Sequence, residues 1–239
     1  GRLGDWGTMA AEAGFICILY ANVQSSRPLV APFGGSDARF VTNPYCTAIP
    51  ATEKHPMFVL DMATSTIAMG KARVAQLSGK PAPEGALIDA QGAPTRDPSV
   101  VFDGAGGALT AFGQHKGFGL ALLGDILGGS FSGGGAYAPT REVPDRIVNN
   151  MMAILIDPNV FGLAESFGVD VDSYTDWVKA SPAAPDTSGV QFPGDPERRS
   201  TAERLANGIP LDAGTLAQLS EAARKAGVPE AAHISSTPD

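Results

Sequence analysis

An apolar helix with glycines at both ends is the feature that most constrains the fold. Phe118, Leu122 and Ile126 recur at helical spacing in a run that opens at Gly113 and closes at Gly128-Gly129. This spacing predicts a helix that buries its apolar face, because side chains three and four residues apart share one side of a helix. Glycine suits the closing turn, where positive φ is needed.

Two polar residues interrupt the glycines at the start of that helix. His115 and Lys116 stand between Gly113 and Gly117, where unpaired backbone N–H groups, a lysine and closely approachable backbone suit a phosphate or pyrophosphate. On these residues alone a second interpretation stays open. Gly117 and Gly119 then serve only close helix packing, while His115 and Lys116 cap and solvate the helix end.

The remaining periodicities indicate a chain that mixes strands and helices first and is mostly helical later. Helices are predicted over 5–13, 64–77, 170–180, 195–207 and 212–226, and strands over 15–20, 45–49, 57–61 and 149–157. Segment 24–44 reads as a long loop and 80–100 as turn-rich connecting structure. The pattern predicts an α+β architecture. We expect an α+β domain over 1–112 and a mostly helical domain over 113–239, with the strand near 150–157 joining the sheet.

Charge and composition narrow the classes of partner. The net charge of −8 disfavours nucleic acid, and the sequence contains neither a membrane-length apolar run nor a signal-peptide pattern. We therefore expect a cytoplasmic protein with a small-molecule partner, no nucleic-acid partner and no membrane association. Cys17 and Cys46 lie in apolar runs and are expected to be buried thiols, and with three histidines no metal site is expected.

Several familiar motifs are missing from the chain. There is no GxGxxG after a strand, no GxxxxGK[ST] and no GxSxG. His55 precedes a proline in a turn and His233 lies near the C-terminus, so both are interpreted as surface residues. His115 is the histidine in a context that points to binding.

Nine short segments, taken in order, resemble the type-2 malate/L-lactate dehydrogenase family, which also includes ureidoglycolate and sulfolactate dehydrogenases and a cyclic-imine reductase. The segments are 1–7, 31–35, 42–44, 60–65, 69–71, 112–117, 133–135, 149–151 and 193–199. The resemblance spans nearly the whole chain. It implies a largely antiparallel sheet that binds a nicotinamide cofactor without the doubly wound fold, which accounts for the missing GxGxxG, and a homodimer.

The resemblance also implies a set of cofactor-binding residues, with NAD and NADP both open. The set is Gly1, Arg2, Leu3, Asp61, Met62, Ala63, His115, Lys116, Pro193, Gly194, Asp195, Pro196, Glu197, Arg198 and Arg199. From the residues themselves, 195–199 opens a helix whose free N–H groups and two guanidinium groups suit a phosphate, although a capped surface helix is the alternative.

Substrate contacts are implied at Thr42, Met69 and Gly70. Their alternatives are a turn hydroxyl, a core methionine and a helix defect. Lys71 follows at a position where imine-reducing members carry an aspartate, which counts against an imine substrate. It is a catalytic candidate that could stabilise a carboxylate or a developing alkoxide, and a solvated lysine on a helix face is the alternative.

The activity implied is hydride transfer between a nicotinamide and a small 2-hydroxy or 2-keto acid, such as malate or lactate. In the family the acid/base and a substrate-binding arginine come from the region before the position of Gly1. We therefore expect an N-terminally truncated fragment that is inactive alone. The alternative is a non-catalytic nucleotide-binding or scaffolding protein, and the sequence does not select the particular acid.

Overall fold

The computed structural model describes residues 2–25, 27–102, 104–138, 146–211 and 213–228, so Gly1 and His233 lie outside the described residues. The chain divides into two compact units, Gly1–Gly194 and Asp195–Asp239. The first unit holds every strand described below, and the second holds two helices. The predicted domain division at residue 112 stays a prediction.

Strands and helices follow one another along the first unit, and the last two helices named below lie in the second. The strands are β1 (Ile16–Gln24), β2 (Tyr45–Ile49), β3 (Phe58–Met62), β4 (Leu87–Ile88), β5 (Pro94–Thr95), β6 (Ala108–Leu109) and β7 (Val148–Ile156). The helices are α1 (Leu3–Glu12), α2 (Met69–Leu77), α3 (His115–Leu123), α4 (Ala164–Lys179), α5 (Asp195–Asn207) and α6 (Ala213–Lys225). A π-helix (Gly124–Phe131) continues α3, and 3₁₀ turns occupy Pro98–Val101 and Pro158–Phe161. The predicted α+β class is confirmed.

The larger sheet has the strand order β3-β2-β1-β7, and every neighbouring pair is antiparallel. Alternate residues of β1 and β2 point to one face, where Cys17, Leu19, Cys46 and Ala48 pack with Ala11 of α1. Both cysteines are free and at most 1% exposed, so the predicted buried thiols are confirmed.

Strand β7 forms one edge of this sheet and pairs with β1 along its whole length, from Ile16 opposite Ile156 to Gln24 opposite Val148. Two large apolar side chains of β7, Ile154 and Leu155, are 40% and 56% exposed. The strand therefore presents both apolar side chains and an outer backbone edge at the surface.

A smaller sheet of order β5-β4-β6 supports a second core. Leu87 and Leu109 face each other in it and are fully buried with Val30 and Val101. The expectation that segment 80–100 is only turn-rich connecting structure is therefore partly wrong, because β4 and β5 lie within it. Strands of two residues are too short to show a period in sequence, and long-range burial rather than local pattern fixes them.

The helix that starts at His115 buries a different face from the one its sequence predicts. Leu122 and Ile126 are 41% and 53% exposed, whereas Gly124 and Gly128 are buried. A Cβ at Gly128 would lie 2.7 Å from the carbonyl oxygen of Tyr20 in β1. The helix thus packs its small residues against strand backbone, which apolar periodicity does not reveal.

No helix among the described residues combines the length and apolar character needed to cross a membrane.

Candidate functional site

Thr64 brings three of the predicted segments together. Its backbone N–H and its hydroxyl both donate to the carbonyl oxygen of Thr42, each at 3.0 Å, and the hydroxyl also lies 3.1 Å from the carbonyl oxygen of Asn43. On its other side, the N–H of Phe112 donates to the carbonyl oxygen of Thr64 at 3.0 Å. Thr64 is fully buried. It therefore ties the expected substrate contact Thr42 to the segment that leads into His115.

This arrangement corrects the predicted helix 64–77, since α2 begins only at Met69. Ser65 forms an antiparallel bridge with Ala111, and the N–H of Thr66 donates to the carbonyl oxygen of Thr110 at 2.8 Å. The backbone of 64–66 is thus engaged with another segment and unavailable to a helix. Three consecutive hydroxyl residues, which compete with helical hydrogen bonding, are the sequence signal that could have shown this.

His115 and Lys116 form the first turn of α3 and are exposed. Two residues of positive φ precede them, Gly113 at 53° and Gln114 at 57°, so the chain turns sharply before the helix begins. The His115 ring contacts Phe33 edge-on, with ring centroids 5.9 Å apart. The N–H groups of Lys116 and Gly117 donate to the carbonyl oxygens of Gly113 (3.2 Å) and Phe112 (2.9 Å), so the expectation of unpaired N–H groups is wrong for these two residues. The exposed Lys116 ammonium and the positive end of the helix dipole can still attract an anionic group.

A cleft of about 490 Å³ opens beside this turn. Its walls are the loop around Phe33, short connecting residues of the smaller sheet, and the start of α3. They include Pro32, Phe33, Gly34, Gly85, Thr110 and Gln114. The cleft therefore adjoins the helix end that carries His115 and Lys116.

Asp61 lies on β3 next to the start of α1. Its Oδ2 accepts a hydrogen bond from the N–H of Gly4 at 2.8 Å and lies 3.8 Å from Nε of Arg2. Close by, the N–H of Val59 donates to the carbonyl oxygen of Pro193 at 3.2 Å. Three predicted cofactor residues, Arg2, Asp61 and Pro193, are thus brought to one strand, and Asp61 also caps α1.

The neighbouring thiol of Cys46 is affected by the same carboxylate. Burial is the main cause that raises the pKa of Cys46 to about 12, and the charges of Asp61 and Cys17 raise it further while Arg2 opposes them. The thiol is therefore protonated at neutral pH, and a protonated thiol is a weak nucleophile.

The predicted substrate residues at the start of α2 have different surroundings. Met69 packs against the second core, whereas Gly70 and Lys71 are exposed. A Cβ at Gly70 would meet nothing within 4 Å, so there is open space in front of this backbone. The position leaves room for a ligand next to Lys71.

In the second unit, residues 195–199 form the first turn of α5, as the Asp-Pro start predicts. The Arg198 guanidinium is paired with the Asp195 carboxylate one turn earlier. The cofactor-binding role of residues 195–199 stays a prediction.

Asp125 is a residue that sequence reasoning missed. It is 8% exposed in the π-helix, and its Oδ1 and Oδ2 accept hydrogen bonds from the side-chain amides of Asn22 (3.2 Å) and Asn43 (2.8 Å). Burial raises the pKa of Asp125, and the two amide donors oppose that rise. A lone acid inside an apolar helix was the available signal, since a buried charge requires partners.

The part of the chain that the structure describes contains no cluster of three or more His, Cys, Asp or Glu side chains placed to hold a metal ion.

The antiparallel strand order of its larger sheet places the chain among α+β proteins outside the doubly wound fold. The sequence model of the malate/L-lactate dehydrogenase family matches residues 1–220. The chain belongs to the malate/L-lactate dehydrogenase family, which confirms the resemblance stated above.

Individual relatives agree with this family. Hydroxycarboxylate dehydrogenase B of Escherichia coli is 44% identical over 96% of this chain and 63% of its own length. An L-lactate dehydrogenase of Cupriavidus necator is 41% identical over 85% of this chain and 58% of its own. A solved Escherichia coli structure, provisionally assigned as a malate/lactate dehydrogenase, superposes with a TM-score of 0.89 at 42% identity, covering 96% of this chain and 64% of that one. The chain thus spans less than two thirds of the length of these relatives.

Proposed function

We propose that the protein carrying this chain is an NAD(P)-dependent oxidoreductase that transfers a hydride between a nicotinamide cofactor and a small 2-hydroxy or 2-keto acid, such as malate or lactate. The observation that carries the proposal is the convergence at Thr64 of Thr42, the strand end 61–63 and the segment leading to Lys116. Family membership and relatives named as hydroxycarboxylate and lactate dehydrogenases support it.

The cofactor-binding residues have the chemistry that a dinucleotide requires. His115 and Lys116 are exposed at a helix N-terminus, which suits a phosphate. Asp61 lies at 17% side-chain exposure, where a carboxylate can accept hydrogen bonds from ribose hydroxyls. We assign 61–63 to the ribose or nicotinamide end, and residues 193–199 to cofactor binding as the resemblance implies. Both NAD and NADP are compatible with these residues.

The substrate is assigned to the space in front of Thr42, Met69 and Gly70. There the Thr42 hydroxyl can donate to a carbonyl or carboxylate oxygen, and the Lys71 ammonium can stabilise a carboxylate or a developing alkoxide. When bound, the nicotinamide supplies or accepts the hydride. Thr42 and Lys71 orient the acid so that its hydroxyl- or keto-bearing carbon is presented in one geometry.

Several wider features belong to the same proposal. They are a homodimer, a cytoplasmic location, and a cofactor-binding domain that ends near residue 112. The acid/base and the substrate-binding arginine expected upstream of Gly1, and the inactivity of the chain without them, stay predictions.

Substitution of Lys116 tests the cofactor site. We expect Lys116→Ala to raise the dissociation constant of NADH or NADPH by about tenfold to a hundredfold, because a charge-assisted contact contributes about 1.5–3 kcal/mol. The measurement is a fluorescence titration of purified protein. Lys80→Ala is the matched control, since it removes an equal charge from an exposed lysine beyond the end of α2.

The outcomes separate the possible functions. Equal affinities in Lys116→Ala and Lys80→Ala would contradict the assignment of Lys116. Reduced-cofactor binding by the full-length protein, without oxidation in the presence of pyruvate, oxaloacetate, sulfopyruvate or ureidoglycolate-related acids, would favour a nucleotide-binding role over catalysis.

A further inference from the structure

The π-helix carries a carboxylate whose partners are unusual for a buried acid. Asp125 accepts hydrogen bonds from two side-chain amides, those of Asn22 and Asn43, and it takes part in none of the ion pairs found among the described residues. Burying a carboxylate without a cation is unfavourable. A fold that only needed to fill this space would be served better by a neutral residue.

The Asp125 carboxylate supplies two hydrogen-bond acceptor oxygens, whereas an asparagine side chain supplies one. Two NH₂ groups point at position 125, one from each asparagine, and each requires an acceptor. An aspartate offers two acceptor oxygens, whereas an asparagine offers one oxygen and a second NH₂ group that would face a donor. Both donors therefore find an acceptor when residue 125 is aspartate, and one of them would lose it if the residue were asparagine.

Asn43 is the partner whose orientation matters for function. Its Oδ1 accepts from the N–H of Val23 at 3.2 Å, and its Nδ2 donates both to Asp125 and to the carbonyl oxygen of Ala121 at 3.1 Å. Rotating the amide by 180° would set donor against donor at Val23 and oxygen against oxygen at Ala121 and Asp125. Asp125 is therefore one of three partners that hold this side chain in one orientation.

The backbone of Asn43 needs such support. Its φ is +22°, in the region that residues with a Cβ rarely adopt, and the residue is 1% exposed. Immediately before it, Thr42 is only partly buried, and its carbonyl oxygen is held by Thr64. The segment is therefore clamped between Thr64 on one side and Asp125 on the other.

From these contacts we infer that Asp125 is a positioning residue: through Asn43 it holds Thr42 in the orientation that meets the 2-keto acid. The inference rests on the proposed function, in which Thr42 contacts the substrate. Asp125 is assigned no contact of its own with substrate or cofactor.

Four variants of the full-length protein test the inference. Asp125→Asn removes the second acceptor, and Asn43→Gly removes the amide while tolerating positive φ. Asn150→Ala is the matched control, because Asn150 donates to Oδ1 of Asn22 at the far end of the same network, and no hydrogen bond among the described residues joins it to Asn43 or Asp125. Thr42→Val removes the proposed substrate contact itself.

Three quantities are measured on each variant. Hydrogen–deuterium exchange over residues 41–45 reports the order of the segment without any need for activity. The KM for the 2-keto acid, set against the dissociation constant of the reduced cofactor, reports the consequence for the substrate. We expect Asp125→Asn and Asn43→Gly each to speed exchange and to raise KM by about tenfold or more, with cofactor affinity within about twofold of wild type. Asn150→Ala is expected to leave exchange and KM near wild type.

Each other outcome has a distinct meaning. Unchanged exchange in Asp125→Asn overturns the inference whatever the kinetics show. Faster exchange with unchanged KM, where Thr42→Val does raise KM, overturns it as well. An unchanged KM in Thr42→Val, or no turnover at all, counts against the proposed function, and exchange then decides on positioning alone. If Asp125→Asn yields no folded protein, Asn43→Gly decides by the same criteria.

Discussion

A methyl group added at Gly117 should damage the start of α3, whereas the same change two residues later should not. A Cβ at Gly117 would lie 2.2 Å from the carbonyl oxygen of Phe112 and 2.9 Å from its backbone nitrogen. The first distance is about 1 Å short of ordinary van der Waals contact. These neighbours are backbone atoms, so the conflict cannot be relieved by a side-chain rotation. A Cβ at Gly119 would meet nothing within 4 Å.

The stability of Gly117→Ala depends on a gain in helix propensity and a loss from overpacking. Glycine to alanine inside a helix stabilises by about 0.5–1 kcal/mol, and Gly119→Ala should realise that gain. At Gly117 the same gain is outweighed by overpacking of about 1–3 kcal/mol or more. To relieve the conflict, the backbone of Gly117 or Phe112 has to move. That movement also weakens the hydrogen bond from the Gly117 N–H to the carbonyl oxygen of Phe112, which is 2.9 Å long. We therefore expect Gly117→Ala to be the less stable variant by about 1–4 kcal/mol.

Thermal unfolding followed by circular dichroism measures the difference. At roughly 2–4 °C per kcal/mol for a chain of this size, Gly117→Ala should melt several degrees below Gly119→Ala. Because the displaced turn carries His115 and Lys116, only Gly117→Ala should also weaken binding of the reduced cofactor. A Gly117→Ala protein as stable as Gly119→Ala would refute the packing argument.

Two further predictions concern buried titratable groups. Cys17 and Cys46 should resist an aromatic disulfide reagent at pH 8 in the folded protein and should react in denaturant. The reason is that burial raises the pKa of both thiols, that of Cys46 to about 12. Rapid labelling of the native protein would contradict this prediction. Burial raises the pKa of Asp125 above 3.8, so the folded state binds this proton more tightly than the unfolded state, and this charge destabilises most above the raised pKa. As the pH falls through that pKa toward 3.8, the melting temperature of wild type should rise relative to that of Asp125→Asn. If the melting temperatures of the two proteins change in parallel with pH, Asp125 does not titrate as its burial implies.

Local chemistry made part of the fold predictable. The Asp-Pro-Glu start of α5 and the glycine behind it predicted the helix closely, because capping preferences and backbone dihedrals act over a few residues. The strands near 45–49 and 149–157 were also predicted locally, because an apolar run is visible within a short stretch of sequence. Family resemblance, rather than periodicity, supplied the antiparallel sheet and the candidate site residues.

Contacts between distant segments were the part that sequence did not reveal. Thr64 looks like the start of a helix until its hydroxyl is seen to bind carbonyl oxygens twenty-one and twenty-two residues away. In the sequence, Asp125 is an isolated acid in an apolar helix, and only the structure shows that Asn22 and Asn43 donate hydrogen bonds to it. In both cases a polar side chain is satisfied by partners that no local pattern links to it.

The outer edge of β7 has a practical consequence for work with this chain. Nine residues, Val148–Ile156, extend about 30 Å, and among the described residues no strand pairs with their outward-facing N–H and C=O groups. With Ile154 and Leu155 exposed beside that edge, it can template the addition of a strand from another molecule. Solutions of the isolated chain should accordingly become turbid as the concentration rises, and a lysine in place of Leu155 should delay it.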